Sequence, residues 1–431
     1  MHITKRKRRM RFLYRYPLNF WQRLGPGLIT GAADDDPSGI ATYSQVGARF
    51  GYDMGWTMLF SYPLMAAIQE ISARIGRTTS YGLAGNLRLF YPIALLRSMV
   101  VLLLIANIVN LGADLGAMGD ALNLVIGGPS HIWAALFGLF CVVAQIFTNY
   151  KQYIGFLKWL TLSLFAYVGV VLIVDMPWHE VAVGLFIPHL HADAAYLAAI
   201  VAVFGTTISP YLFFWQSTQE AEEVIINPEA QPLLIAPEQA ESEMKRIRFD
   251  TLVGMGFSNM IALFIILTTA ATLHAHGITD IETSSQAAQA LRPLAGAFAF
   301  TIFALGIIGT GLLAVPVLAA SAAYAVGEGL NWHIGLGRRP REAKAFYATL
   351  TGATLIGVVM NFVGINPIKA LFWAAILNGV IAVPMMFVMM HMASSARIMG
   401  KYTIPSLLKI TGWLSTLVMA GVVTAMFVTM F

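Results

Sequence analysis

Three consecutive carboxylates, Asp34-Asp35-Asp36, stand directly before Pro37-Ser38-Gly39 within an otherwise apolar stretch running from about residue 25 to 48. That stretch is about long enough to cross a bilayer. An ionised Asp at bilayer depth costs roughly 2.5 to 3.5 kcal/mol on insertion scales, and unwound backbone there is tolerated only where it lines a cavity. Cation binding is the chemistry that offsets such a cost, so these residues predict a cation site in a transporter. Asp36, next to the proline where the helix unwinds, is the first choice for a direct ligand, and it is also placed to cap the helix that begins at Pro37. Asp34 and Asp35 cannot both face the same site as Asp36 while the backbone stays helical. Either one of them lines an access path, or both are partners of buried arginine or backbone amides.

A second break falls at Gly205-Thr206-Thr207-Ile208-Ser209-Pro210-Tyr211, inside another apolar stretch. The carbonyls of Ala33 and Thr206, at the C-terminal ends of two half-helices, would supply oxygen and the negative ends of helix dipoles. Ser38, Thr207, Ser209 and Tyr211 are oxygen donors able to complete a shell, directly or through retained water. Mg2+, held at about 2.0 to 2.1 Å and slow to give up water, suits such a partly hydrated site. In a third apolar stretch, Asp114 and Asp120 lie about two turns apart with Asn110 and Asn123 nearby. Intramembrane acids are by default parts of an ion path or proton relay. Asp114 and Asp120 are both candidates for this, and Asp120, closer to the outer end, either lines the path or pairs with a neighbouring polar group. Asn378 is an amide ligand or an interhelical hydrogen bonder. The pairs His189/His191 with Asp193 and His274/His276 with Asp280 have the spacing of entrance ligands, but polar loops carry such pairs often and a zinc site needs more.

The elements that must hold these residues follow from composition. The chain has 431 residues, 58% hydrophobic and only 11% charged, with a mean hydropathy of +0.70, which excludes a water-soluble domain. Apolar runs of about 20 residues give about eleven spans, near 25–48, 54–73, 93–126, 131–149, 153–175, 194–218, 249–273, 294–325, 345–363, 367–392 and 407–430. A cytoplasmic N-terminus puts Arg74, Arg77, Arg88, Lys151, Lys245, Arg246, Arg248, Arg338, Arg339, Arg341, Lys344, Arg397 and Lys401 inside, leaving only Arg49, Arg292 and Lys369 outside or near the outer ends. That asymmetry supports the span count and the orientation together, because one missed helix would invert every later loop. The C-terminus is then external, the membrane the plasma membrane. The basic cluster Lys5-Arg6-Lys7-Arg8-Arg9 with Arg11 fits anionic lipid, not nucleic acid. The single cysteine, Cys141, excludes an internal disulfide and a thiolate cluster. No Gly-rich phosphate loop of the P-loop kind is present, so ATP-driven pumping is not expected, nor any enzyme activity or resident cofactor. The acidic stretch from Glu220 to Arg248 reads as a charged connector or a gating segment.

Breaks in the first and sixth spans occupy corresponding positions of two five-helix halves, the pattern of an inverted repeat. This organises the chain as a basic segment 1–22, a first repeat 23–192, a second repeat 193–392 and a last helix 393–431. Gly25-Pro26-Gly27 through Asp36-Pro37-Ser38-Gly39-Ile40 resembles the Gly-Pro-Gly and Asp-Pro-Gly-Asn signature of Nramp metal-ion transporters, and the sixth-span segment resembles their Met-Pro-His segment. The resemblance extends over most of the chain, including Ala113-Asp114-Leu115-Gly116 of the long third span. It implies an all-α integral membrane protein of the LeuT-like class (APC superfamily, 5+5 inverted repeat with helices 1 and 6 broken), alternating access, and divalent metal import, commonly with protons.

Departures from the Nramp pattern bear on the ion. Gly39 stands where the family has a ligand Asn, and Ser209 where it has a ligand Met. Tyr211 and Gln216 replace two helix-six histidines, and Ala117 replaces a glutamate linked to proton movement. Thioether favours late transition metals, whereas hydroxyl, carbonyl and carboxylate oxygens suit Mg, Ca and Mn. The substitutions resemble a divergent Nramp-related branch associated with magnesium. The expectation is a secondary-active or facilitative divalent cation transporter favouring hard or partly hydrated ions (Mg2+, Mn2+), with weak or no proton coupling. The alternatives are a typical proton-coupled Mn2+/Fe2+ importer and, from other classes, an organic-solute symporter of the same fold or a non-transporting metal sensor. The partners implied are a divalent cation, membrane lipid and protons.

Overall fold

The computed structural model describes residues 26–147, 160–191, 193–227 and 229–430. The basic cluster at residues 5–11, Lys151 and the start of the expected fifth span lie outside the described residues. Helices of eight residues or more are numbered in chain order: α1 Pro26–Asp34, α2 Pro37–Phe50, α3 Trp56–Thr79, α4 Leu83–Phe90, α5 Ile93–Ile126, α6 Ser130–Phe147, α7 Phe165–Ile173, α8 Trp178–Phe186, α9 Ala194–Thr207, α10 Pro210–Ile226, α11 Ala240–Thr272, α12 Ala299–Leu330, α13 Lys344–Met360, α14 Pro367–Ser394 and α15 Ser406–Met430. Among the described residues, seven helices are long and apolar enough alone to cross a membrane, with the continuous pair α9–α10 taken as one. The broken pair α1–α2, the shorter apolar stretches Leu162–Ile173 and Lys344–Met360, and α3 complete the set of spans expected from the sequence. Helix α3 carries Glu70 and Arg77 buried, with Arg74 half-buried beside them. Large apolar side chains point outward instead, among them Leu136, Leu139 and Phe140 on α6 and Leu407, Ile410 and Leu417 on α15. Surfaces of that kind are stable against lipid, not water.

Both breaks are built alike. Each second half-helix starts on a proline, Pro37 or Pro210, which lacks the N–H that a first helical position leaves unpaired anyway. Each is preceded by an extended cap residue, Asp36 (φ −69°, ψ 171°) or Ser209 (φ −70°, ψ 137°). Only Asp36 uses its side chain as the cap.

Packing repeats the same symmetry. Helix α3, the second span, lies along α10, and α11, the seventh span, lies along α1, so each broken helix has a half braced by the span that follows the other break. The third and eighth spans, α5 and α12, make the most extensive contact in the molecule. Both braces rest on glycine. A Cβ on Gly31 of α1 would sit 2.3 Å from the Gly254 carbonyl oxygen of α11, and one on Gly76 of α3 would sit 1.9 Å from the Ser217 carbonyl oxygen of α10. Small residues at these points let the backbones touch, which drives helix association where lipid removes the hydrophobic incentive.

Candidate cation site

The two breaks meet at Asp36, whose two oxygens have separate tasks. Oδ1 accepts from the Gly39 backbone N–H at 2.7 Å and the Ser38 hydroxyl at 2.6 Å, and so caps α2. Oδ2 accepts from the Asn110 amide of α5 at 3.2 Å and the Tyr211 hydroxyl of α10 at 3.1 Å. Tyr211 also reaches the Ala33 carbonyl at 2.9 Å, tying the end of α1 to the start of α10. Three helices thus bond one carboxylate that is 1% exposed, and α1 joins them through Tyr211. Asn378 of α14 donates to the Asn110 oxygen at 3.3 Å, extending the chain of amides away from Asp36. Asp114, one turn beyond Asn110, is fully buried, faces Asp36 and lies close to the Ser38 backbone amide. None of these four acids, Asp34, Asp35, Asp36 or Asp114, forms an ion pair with a Lys, Arg or His among the described residues.

Other expected ligands are turned elsewhere. The Ser209 hydroxyl donates to the Gly205 and Thr206 carbonyls at 2.6 and 2.8 Å, and Thr207 donates to the Val203 carbonyl at 3.0 Å. These back-bonds relieve carbonyls exposed by the break, the usual recourse of hydroxyl residues at a helix end. The Thr206 carbonyl keeps a second lone pair while accepting from Ser209. Gln216, further along α10, accepts through its side-chain oxygen from Thr30 of α1. Asp120 lies apart from Asp36, accepting from Ser284 and, at 3.4 Å, from Ser130. Asp34 and Asp35 both accept from Ser258 of α11, at 2.5 and 3.0 Å, not from an arginine. The histidine pairs do not converge: His274 bonds the Ala48 carbonyl at 2.8 Å, His276 the Thr272 carbonyl at 2.6 Å, and Asp280 accepts from Gln45 at 2.9 Å. Among the described residues, no three His, Cys, Asp or Glu side chains are gathered as a metal cluster. Around Asp36 the Asn110 amide and the Tyr211 phenol are turned inward as donors, the Asn110 oxygen being taken up by Asn378, so the acceptor oxygens at this point are the Asp36 carboxylate and the Ala33 carbonyl.

The site is closed on both sides. On one side, the Asp250 carboxylate of α11 accepts from the Gly27 amide at 2.6 Å. Beyond it Arg77 and Arg246 bind Glu243 at 3.2 and 3.0 Å, and Arg246 binds the buried Glu220 at 2.5 Å. On the other side, Gln45 of α2 holds both Asp280 and the Ile281 amide, beneath a cavity of about 290 Å³ between α2, α9 and α14. Sequence reasoning passed over Ser258 and Asp250. A hydroxyl within the apolar span 249–273 and a carboxylate at its start were the available signals.

The family model for Nramp, natural resistance-associated macrophage protein-like, matches residues 27–429, which takes in both breaks and every residue named at this site. The chain belongs to the Nramp family. The "Divalent metal cation transporter MntH" of Acidiphilium cryptum (strain JF-5) is 28% identical over 387 residues, covering 86% of this chain and 82% of that protein. The fold is that of the Eremococcus coleocola manganese transporter, solved with an aromatic bis-isothiourea compound, with a TM-score of 0.75, 16% identity, and coverage of 95% of this chain and 88% of that one. MhsT, solved with L-phenylalanine, shares it at a TM-score of 0.62 and 12% identity, over 94% of this chain and 98% of that one, which makes the architecture LeuT-like. Within this Nramp chain the departures acquire geometry. A Cβ at Gly39 would lie 3.2 Å from the Asp34 carbonyl and the Thr206 hydroxyl and 3.3 Å from the Tyr43 ring, so a side chain there would crowd the site. Tyr211 spans the gap to Asp36 with a neutral phenol.

Proposed function

We propose that this protein moves a divalent metal cation across the plasma membrane by alternating access, that it favours hard or partly hydrated ions such as Mg2+ and Mn2+, and that protons are weakly coupled or uncoupled. The observation that carries this reading is the Asp36 carboxylate, buried where two helix breaks cross, with its Oδ2 turned to amide and phenol groups and no imidazole or basic side chain bonded to it. Names of relatives support the substrate class: the Acidiphilium protein is called a divalent metal cation transporter and the Eremococcus protein a manganese transporter. Tyr211, Gln216 and Ala117 carry no group that titrates near neutral pH, which leaves the acids of the first and third spans as the evident proton acceptors. Residues 23–192 and 193–392 act as the two repeats, and residues 393–431 stand outside them.

Proteoliposome uptake tests this. Mg2+ and Mn2+ are expected both to enter, Mg2+ to compete with Mn2+, and an internal pH dye to show little metal-driven acidification. Exclusion of Mg2+ together with strong acidification would instead make the protein a typical proton-coupled importer.

The orientation is checked separately. A tag in the 227–239 connector is expected to be accessible only from the cytoplasm, and one after Phe431 only from outside. Both on one side would overturn the odd number of spans.

A further inference from the structure

Asp34 and Asp35 are not explained by a single ion at Asp36. Their carboxylates converge on one hydroxyl, Ser258 of α11, at 2.5 and 3.0 Å. One hydroxyl has one proton to donate, so at most one of these two contacts is a donated hydrogen bond at any moment. The other Asp34 oxygen, Oδ1, is buried and has no hydrogen-bond partner. A second, independent group points the same way. The Tyr43 hydroxyl of α2, on a side chain 0% exposed, has no well-formed hydrogen bond, and its ring packs at Gly39 together with the Asp34 carbonyl and the Thr206 hydroxyl. Two carboxylates 1 and 2% exposed and the Ser258 hydroxyl therefore lie together where α11 packs on α1 and α2, and among the described residues neither carboxylate is paired with a basic side chain. A buried carboxylate with no partner stays neutral, and a cation entering between the two is the counter-charge that would let them ionise.

We propose that Asp34, Asp35, Ser258 and Tyr43 form a second cation station, separate from Asp36, that takes a small hard monovalent cation such as Na+. All its donors are oxygens, the ligand class of alkali and alkaline-earth ions. Charge selects between the two. A divalent ion at Asp36, flanked by Asp114, leaves the Asp34 and Asp35 pair uncompensated. A monovalent ion there repels the divalent cargo half as strongly as a second divalent ion would at the same separation. The two ions are bound by adjacent residues on one unwound segment, so filling the station also fixes the direction of Asp36. That would couple Na+ to divalent binding.

The test uses the purified full-length protein and radioactive Na+ as the probe, with choline as the replacing cation and no divalent metal present. Saturable Na+ binding is expected in the wild type and in Asp36→Asn. It is expected to weaken at least tenfold in Asp34→Asn and Ser258→Ala and to recover in Ser258→Thr, which restores the hydroxyl; thermal unfolding confirms that each variant is folded. Absence of saturable Na+ binding up to about 0.15 M salt, or equal binding in folded Asp34→Asn and Ser258→Ala, overturns the proposal. So does binding of two Mn2+ per wild-type chain with the second lost in Asp34→Asn, which would make the occupant divalent. Mn2+ binding measured alongside keeps the questions apart: if Mn2+ binds and Na+ does not, the station fails and the transport reading stands, and the reverse result sinks only the transport reading.

Discussion

Asp36→Asn is expected to weaken divalent cation binding at least about a hundredfold while leaving the protein folded. One unit charge at about 4 Å is worth roughly 4 kcal/mol at the effective dielectric of a protein site, and a divalent ion doubles the interaction. Even with much of that offset by water and by Asp114, two powers of ten in affinity is a conservative loss. Asn is the informative replacement because its side-chain oxygen still accepts from Gly39 and Ser38 in place of Oδ1, sparing a cap worth about 1 kcal/mol. Asp36→Ala removes charge and cap together, so it is expected to abolish binding and also to lower the melting temperature. Calorimetric titration with Mn2+ and a thermal scan separate the two effects. Wild-type affinity in Asp36→Asn would remove Asp36 from the site.

Arg246→Ala is expected to cost the closed state about 3 to 5 kcal/mol, the usual penalty for stripping one partner from a buried ion pair. Glu220 on α10 has a side chain 0% exposed and Arg246 on α11 one 16% exposed. Without the guanidinium, the Glu220 charge stays buried with nothing of opposite sign at hand. Arg246 also binds Glu243, which in turn holds Arg77 of α3, and Arg77 donates to the Gln231 carbonyl and to Gln239 of the connector at 2.6 and 2.9 Å. The loss therefore loosens the contacts among α3, α10, α11 and the connector together. Adding Glu220→Gln to Arg246→Ala is expected to return most of the stability, because the orphaned charge is gone. Thermal unfolding of the two single variants and the double variant measures this; a single Arg246→Ala as stable as the wild type would show that the pair does not hold α11 to α10.

That network also shows what the acidic stretch from Glu220 to Arg248 does in this structure. As a sequence, seven Glu followed by Lys245, Arg246 and Arg248 are explained adequately by a charged connector, with a gating or partner-binding segment as the alternative. Its partner Arg77 lies more than a hundred residues earlier, on a helix that charge patterning alone marks only as cytoplasmic at one end.

The sequence alone determined the membrane class, the order of spans and the place of both helix breaks. The reason is that bilayer insertion acts on composition: twenty apolar residues cross, and a carboxylate beside a proline inside such a run is too costly unless the backbone opens there. The resemblance to Nramp around Asp36 and Pro210 followed from the same local residues. Tertiary structure alone decided which way each polar side chain turned. Ser209 and Thr207 face their own carbonyls, Tyr211 bridges Ala33 and Asp36, Asp120 joins Ser284, and Asp34 and Asp35 meet Ser258. A hydroxyl near a break has both a local carbonyl and a distant carboxylate to bond, and the sequence lists both without ranking them. The ranking comes from the rotation of each half-helix about its axis, which is set where Gly31 meets Gly254 and Gly76 meets Ser217, contacts between spans that lie far apart along the chain.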